Sequence, residues 1–266
     1  QTDGTTSVNT NNLDITAREG VGSGAQDLVF DADDLLVDTS GGDGDQFLSD
    51  TDALNSLDLD AGTGDIELTA AGAIADADGL TDITAADLIL SAAGGVGTSA
   101  ILPLNILATR LDVTNATSGS VFISDGAAGL TLIDLNLDVN TRSVDAVAGG
   151  QITAASPLTI SSDALVGASF TFTAGNDAAS AGDDLTIGSS AVVTLSSAVD
   201  ATLRFEAGDD IVFDTGSAVT AGGGDHTVEL TADNEGDVIT DADGGTVTQT
   251  DGTTSVNTNN LDITAR

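Results

Sequence analysis

The chain has 266 residues, with 43 Asp and Glu against 5 Lys and Arg, for a formal net charge of −38. Such a field excludes nucleic acid, whose binding depends on neutralising phosphates, and disfavours an anionic membrane surface. Cys, Met, Trp and Tyr are absent, yet 40% of residues are apolar, too many for a disordered acidic tail and enough for a core of small and branched aliphatics.

Residues 1–18 read QTDGTTSVNTNNLDITAR, and residues 249–266 repeat them letter for letter, at an offset of 248. An identity of that length predicts a tandem array, with residues 1–248 as one long repeat and residues 249–266 as the start of the next. Inside the segment, Leu13-Asp14-Ile15-Thr16 alternates apolar and polar, as a strand with one buried face does. Similar runs follow at Leu57-Asp58-Leu59, Ile66-Glu67-Leu68-Thr69, Leu111-Asp112-Val113 and Val121-Phe122-Ile123. Leu158-Thr159-Ile160, Phe170-Thr171-Phe172, Leu203-Arg204-Phe205 and Val228-Glu229-Leu230 continue the series. Gly, Asp, Thr and Ser bound these runs, as turn residues bound strands. Pro103 and Pro157 each precede a strand-like run, where proline is tolerated. No amphipathic helix stands out, and no apolar run approaches the ~18 residues of a membrane helix.

A finer period sits inside the long one. Gly20-Val21-Gly22-Ser23 matches Gly95-Val96-Gly97-Thr98, and Phe47-Leu48-Ser49-Asp50 matches Phe122-Ile123-Ser124-Asp125, both at an offset of 75. Gly182-Asp183-Asp184-Leu185 matches Gly208-Asp209-Asp210-Ile211 at 26. A unit of about 25 residues would fit three times into 75 and about ten times into 248. So short a unit cannot bury its own apolar face and must stack on its neighbours. The expected fold is all-β, a parallel β-solenoid with coils spaced by the strand separation of ~4.8 Å. A string of immunoglobulin-like sandwiches of about 100 residues each fits these offsets poorly.

The stretch Leu88-Ile89-Leu90-Ser91-Ala92-Ala93-Gly94-Gly95-Val96-Gly97-Thr98-Ser99, with Pro103-Leu104, Leu111-Asp112-Val113 and Ser118-Gly119-Ser120-Val121-Phe122-Ile123-Ser124, resembles the coils of giant filamentous-haemagglutinin-like and autotransporter-like bacterial surface proteins. The likeness is clear over residues 85–125 and weaker over 11–50. It implies a right-handed β-helix, export to the cell surface, and a role as stalk, adhesin or fibre.

Enzyme chemistry finds few residues to use. His226 is the only His and reads as an exposed, inert turn residue beside Asp225. Without Cys or Lys there is no thiolate or Schiff-base nucleophile, and a zinc site lacks its usual ligands. Asp-Gly turns suit hard cations, calcium above all, because they offer carboxylate and carbonyl oxygens. The candidates are Asp43 and Asp45, Asp76 and Asp78, Asp183 and Asp184, Asp209 and Asp210, and Asp241 and Asp243. Gly41 to Asp45 resembles the calcium-binding nonapeptide, with Gln46 where its Asp should be. The same aspartates also serve simply as turn formers on a solvated surface. The reading is therefore a non-enzymatic structural segment of a giant exported repeat protein. Its expected partners are further copies of itself, along or beside the filament, and soluble cations. An adhesin is the alternative, and a β-helical polysaccharide enzyme a more distant one.

Overall fold

A computed structural model describes residues 7–76, 78–115, 118–126, 129–137, 141–155, 158–162, 168–175, 183–233 and 245–265. The chain divides into two compact units, Gln1–Gly126 and Ala127–Arg266. Among the described residues all regular structure is strand, and no helix is long and apolar enough to cross a membrane.

The first unit holds β1 (Val8–Asn9), β2 (Asn12–Thr16), β3 (Leu28–Asp31), β4 (Asp34–Asp38) and β5 (Gln46–Asp50). It continues with β6 (Ser56–Asp60), β7 (Ile66–Ala70), β8 (Ile83–Ala92), β9 (Leu104–Asn115) and β10 (Gly119–Asp125). One face stacks β2, β4, β6, β8, β9 and β10, each parallel to the next. A second stacks β1, β3, β5 and β7, then the later halves of β8 and β9. Strands β8 and β9 thus turn a corner without breaking. The burial of β8 alternates up to Ala85, slips at Ala86 and Asp87, and resumes at Leu88.

The second unit holds β11 (Gly129–Leu137), β12 (Thr141–Ala148), β13 (Gln151–Ala154), β14 (Leu158–Ser162), β15 (Ala168–Ala174), β16 (Leu185–Ile187) and β17 (Val192–Ser197). After these come β18 (Ala201–Ala207), β19 (Ile211–Phe213), β20 (Ala218–Gly222), β21 (Thr227–Ala232), β22 (Val247–Gln249), β23 (Ser255–Asn257) and β24 (Asn260–Thr264). Three faces recur in each coil: β12–β15–β18–β21–β24, β13–β16–β19–β22 and β14–β17–β20–β23. Each unit is a parallel β-solenoid of the right-handed β-helix type.

Alternation explains why these residues build a solenoid. Inward positions repeat from coil to coil as ladders, such as Leu28–Leu48–Leu68–Leu90–Val113 in the first unit. In the second, Ala146–Phe172–Phe205–Leu230 is the matching ladder, with the Phe172 and Phe205 rings stacked at a centroid distance of 5.7 Å. Every sequence-derived strand run lies within one of these strands. Pro103 does stand immediately before β9, while Pro157 lies outside the described residues.

Coil lengths are unequal around the expected mean. Leu13 lies opposite Leu35, 22 residues on, and Leu28 opposite Leu48, 20 on. In the second unit the 26-residue offset is one coil, since Leu185 pairs with Ile211, but Val219 pairs with Val256, 37 on. The 75-residue offset is not three aligned coils. Val21 leads the column Gln46–Ile66–Leu88–Leu111, whereas Val96 belongs to Leu54–Ile74–Val96–Val121. What recurs is a local cassette used on two different faces. In both copies the second Gly has positive φ (Gly22 73°, Gly97 70°) and the Val carbonyl accepts the N–H of a Phe one coil on, Phe47 or Phe122, at 2.8 Å.

Candidate functional site

Aspartates sit at the coil corners for a reason that begins with backbone accounting. Where the ladder stops, N–H groups lose their inter-coil carbonyls and need another acceptor. A carboxylate one coil away supplies it. Asp45 accepts from the Asp65 N–H (3.0 Å), Asp65 from Asp87 (3.2 Å), and Asp87 ends the series in an ion pair with Arg110 (2.8 Å). Asp43, at φ 53°, accepts from the Thr63 N–H at 3.0 Å. An open groove of about 450 Å³ lies over this corner, lined by Arg18, Glu19, Gly42, Asp43, Gly44 and Asp45.

The second unit uses the same device. Asp209 accepts from the Asp183 N–H (3.3 Å) and Asp184 from the Asp210 N–H (3.1 Å). Asp210 in turn accepts from the backbone and hydroxyl of Thr246 (2.7 and 2.8 Å). Burial, then the neighbouring Asp210 and Asp209, pushes the Asp184 carboxyl above its ordinary range despite the Asp210 N–H. The four aspartates found by the 26-residue spacing are thus stacked one coil apart. Asp241 and Asp243 lie outside the described residues.

Among the described residues, one group of three acids brings its oxygens within 4.8 Å of one another: Asp76, Asp78 and Asp82, in the turn between β7 and β8. Asp76 is buried and accepts from the N–H groups of Leu57 and Asp78, both at 2.9 Å. Asp78 is exposed and accepts from the Leu80 N–H at 2.7 Å. Asp82 is buried and accepts from the Asn105 N–H at 2.7 Å. Its carboxyl is pushed up to about 7, chiefly by burial and further by Asp76, Asp78 and Asp58, against the Asn105 hydrogen bond. Asp58, outward on β6, is also raised, by burial and then by Asp60, Asp78, Asp38 and Asp76. Carboxylates crowded this closely resist full ionisation, so a proton or a cation is the natural counter-charge. Asp82 escaped the sequence reading because it follows Thr81 rather than a Gly-rich turn. Its only signal is its place four residues beyond Asp78.

His226 corrects an expectation. It is fully buried, not exposed. Its Nδ1 accepts the Ala201 N–H at 3.2 Å, and Nε2 lies 3.2 and 3.3 Å from the carbonyls of Ser197 and Gly222. A ring protonated on Nε2 satisfies all three. The Gly224 N–H lies 3.1 Å from the same Nε2, a contact that tautomer does not use. His226 therefore fills a corner between coils. Asp50 and Asp125, the matching last residues of the cassette strands, are likewise buried. Burial raises the Asp50 carboxyl against the N–H groups of Asp52, Ala32 and Thr51, and Asp125 accepts the Ala108 N–H at 3.2 Å. Compared with known proteins, the chain matches no family model, no curated protein and no solved structure.

Proposed function

We propose that this chain is a structural segment of a longer exported repeat protein, built as extracellular fibre, stalk or cell-surface filament material. The observation that carries the reading is the repeated strand Asn-Leu-Asp-Ile-Thr. As β2 it pairs with the coil that follows, Leu13 on Leu35 and Ile15 on Val37. As β24 it pairs with the coil that precedes, Leu261 on Val228 and Ile263 on Leu230. One sequence therefore accepts a coil on either edge, which is what the seam of a continuing array requires. Soluble cations, calcium first, are the partners its charge and corner carboxylates favour.

The test is fibre diffraction from a chain carrying several 248-residue units. A meridional repeat near ~4.8 Å is expected. Beads with no such repeat would sink the reading. The adhesin alternative predicts selective retention on a glycan array, with fibre geometry incidental.

A further inference from the structure

We propose that the 18-residue segment is an interchangeable joint: Ser7–Asn9 and Asn12–Thr16 of one copy dock on β20 and β21 of a second copy, in the register that Ser255–Asn257 and Asn260–Thr264 occupy there. The partner is a second copy of this chain, joined head to tail through continuous parallel sheet. The proposal rests on the structural reading above and names its connection.

The docked state is already visible in cis. Strand β24 lies on β21 with Val228 opposite Leu261, Glu229 opposite Asp262, Leu230 opposite Ile263 and Thr231 opposite Thr264. Strand β23 lies on β20 with Val219 opposite Val256. Polar contacts seat it: the Thr258 hydroxyl donates to the His226 carbonyl and the Asn260 amide to Asp225, both at 3.1 Å. Residues 1–18 present the same side chains in the same order.

Substituting them extends three apolar columns without interruption. Val8 would stand between Val219 and its own Phe30, Leu13 between Val228 and Leu35, and Ile15 between Leu230 and Val37. Docking would cover Val8, which is 39% exposed. A parallel edge with apolar residues showing is a template for another chain. The cis segment competes at high effective concentration, so exchange requires it to lift away. Ile263→Asp, which loosens only the terminal strand, should favour exchange. Each copy carries a net charge of −38, so salt should favour their association too.

The full chain has no Cys, so introduced thiols report contact directly. Neighbouring strands at ~4.8 Å lie within disulfide reach. A Thr231→Cys, Ile263→Asp chain is mixed with a Thr16→Cys chain under mild oxidation. The single chain with Thr231→Cys and Thr264→Cys calibrates the bond. We expect disulfide-linked dimers, several-fold more than when the second chain carries Asp14→Cys, two residues out of register. Monomers alone, or equal yields from the two registers, would overturn the joint. Either failure leaves the diffraction test of a covalent array untouched, so the two ideas fall separately.

Discussion

Asp82 concentrates the chemistry of single residues in this fold. Its carboxyl sits near 7 in the folded chain against 3.8 for an ordinary aspartate. The folded state therefore binds more protons than the unfolded one between those values. Its contribution is fully present below pH ~3.8 and is lost as pH rises through about 7. Asp82→Asn keeps an acceptor for the Asn105 N–H and removes that dependence. In melting series over pH, the gap between variant and parent should open from pH 4 and level off above 7. A constant gap would count against the shift. Gly97 is constrained by geometry instead. With φ at 70°, an added Cβ would run into the Phe122 carbonyl. Gly97→Ala should cost about 1–3 kcal/mol in denaturant melts. Turn chemistry of this kind could be read from the sequence at Gly22 and Gly97, because two copies of the cassette advertised it. The burial of His226 could not, since Gly222-Gly223-Gly224-Asp225 looks like any solvated turn.

At the level of strands, alternation was legible where Leu, Val, Ile or Phe flanked a polar residue, and each run named from the sequence lies within a strand. Pairing was harder to read, because register is set by corners whose length the sequence leaves open. The matching Gly-Val-Gly turns at 20–23 and 95–98 illustrate this: the same positive-φ glycines and the same hydrogen bond to a Phe one coil on, but different columns. Outward columns also hold a pattern that individual strands hide. Leu36 lies between Asp14 and Asp58, and Ile89 between Glu67 and Asp112. These two exposed apolar residues separate acids that would otherwise stack at strand spacing. Thr171–Arg204–Glu229 interleaves charge with its opposite, Arg204 meeting Glu229 at 2.6 Å. Leu36→Asp would place three carboxylates in a row and should lose about 1 kcal/mol at low salt. Molar salt should restore most of it, while Leu36→Thr should stay within about 0.5 kcal/mol of the parent throughout. Salt-independent loss would point to packing instead.

For the molecule as a whole, the charge of −38 is the dominant fact, and its remedy is testable. At low ionic strength a chelator should lower the melting temperature, and calcium should restore it at concentrations where sodium does not. If sodium at equal ionic strength restores it as well, diffuse screening suffices and no ion is held by Asp76, Asp78 and Asp82. Of that cluster, the sequence pointed to Asp76 and Asp78 through their Asp-x-Asp-Gly turn, and only three-dimensional packing added Asp82.

Unequal coils carry a last consequence. Each turn advances the sheet by one strand spacing, ~4.8 Å, whether it spends 20 residues, as between Leu28 and Leu48, or 37, as between Val219 and Val256. Reach therefore scales with the number of turns and is indifferent to the number of residues. Insertions and deletions at corners alter girth and decoration while leaving axial length untouched.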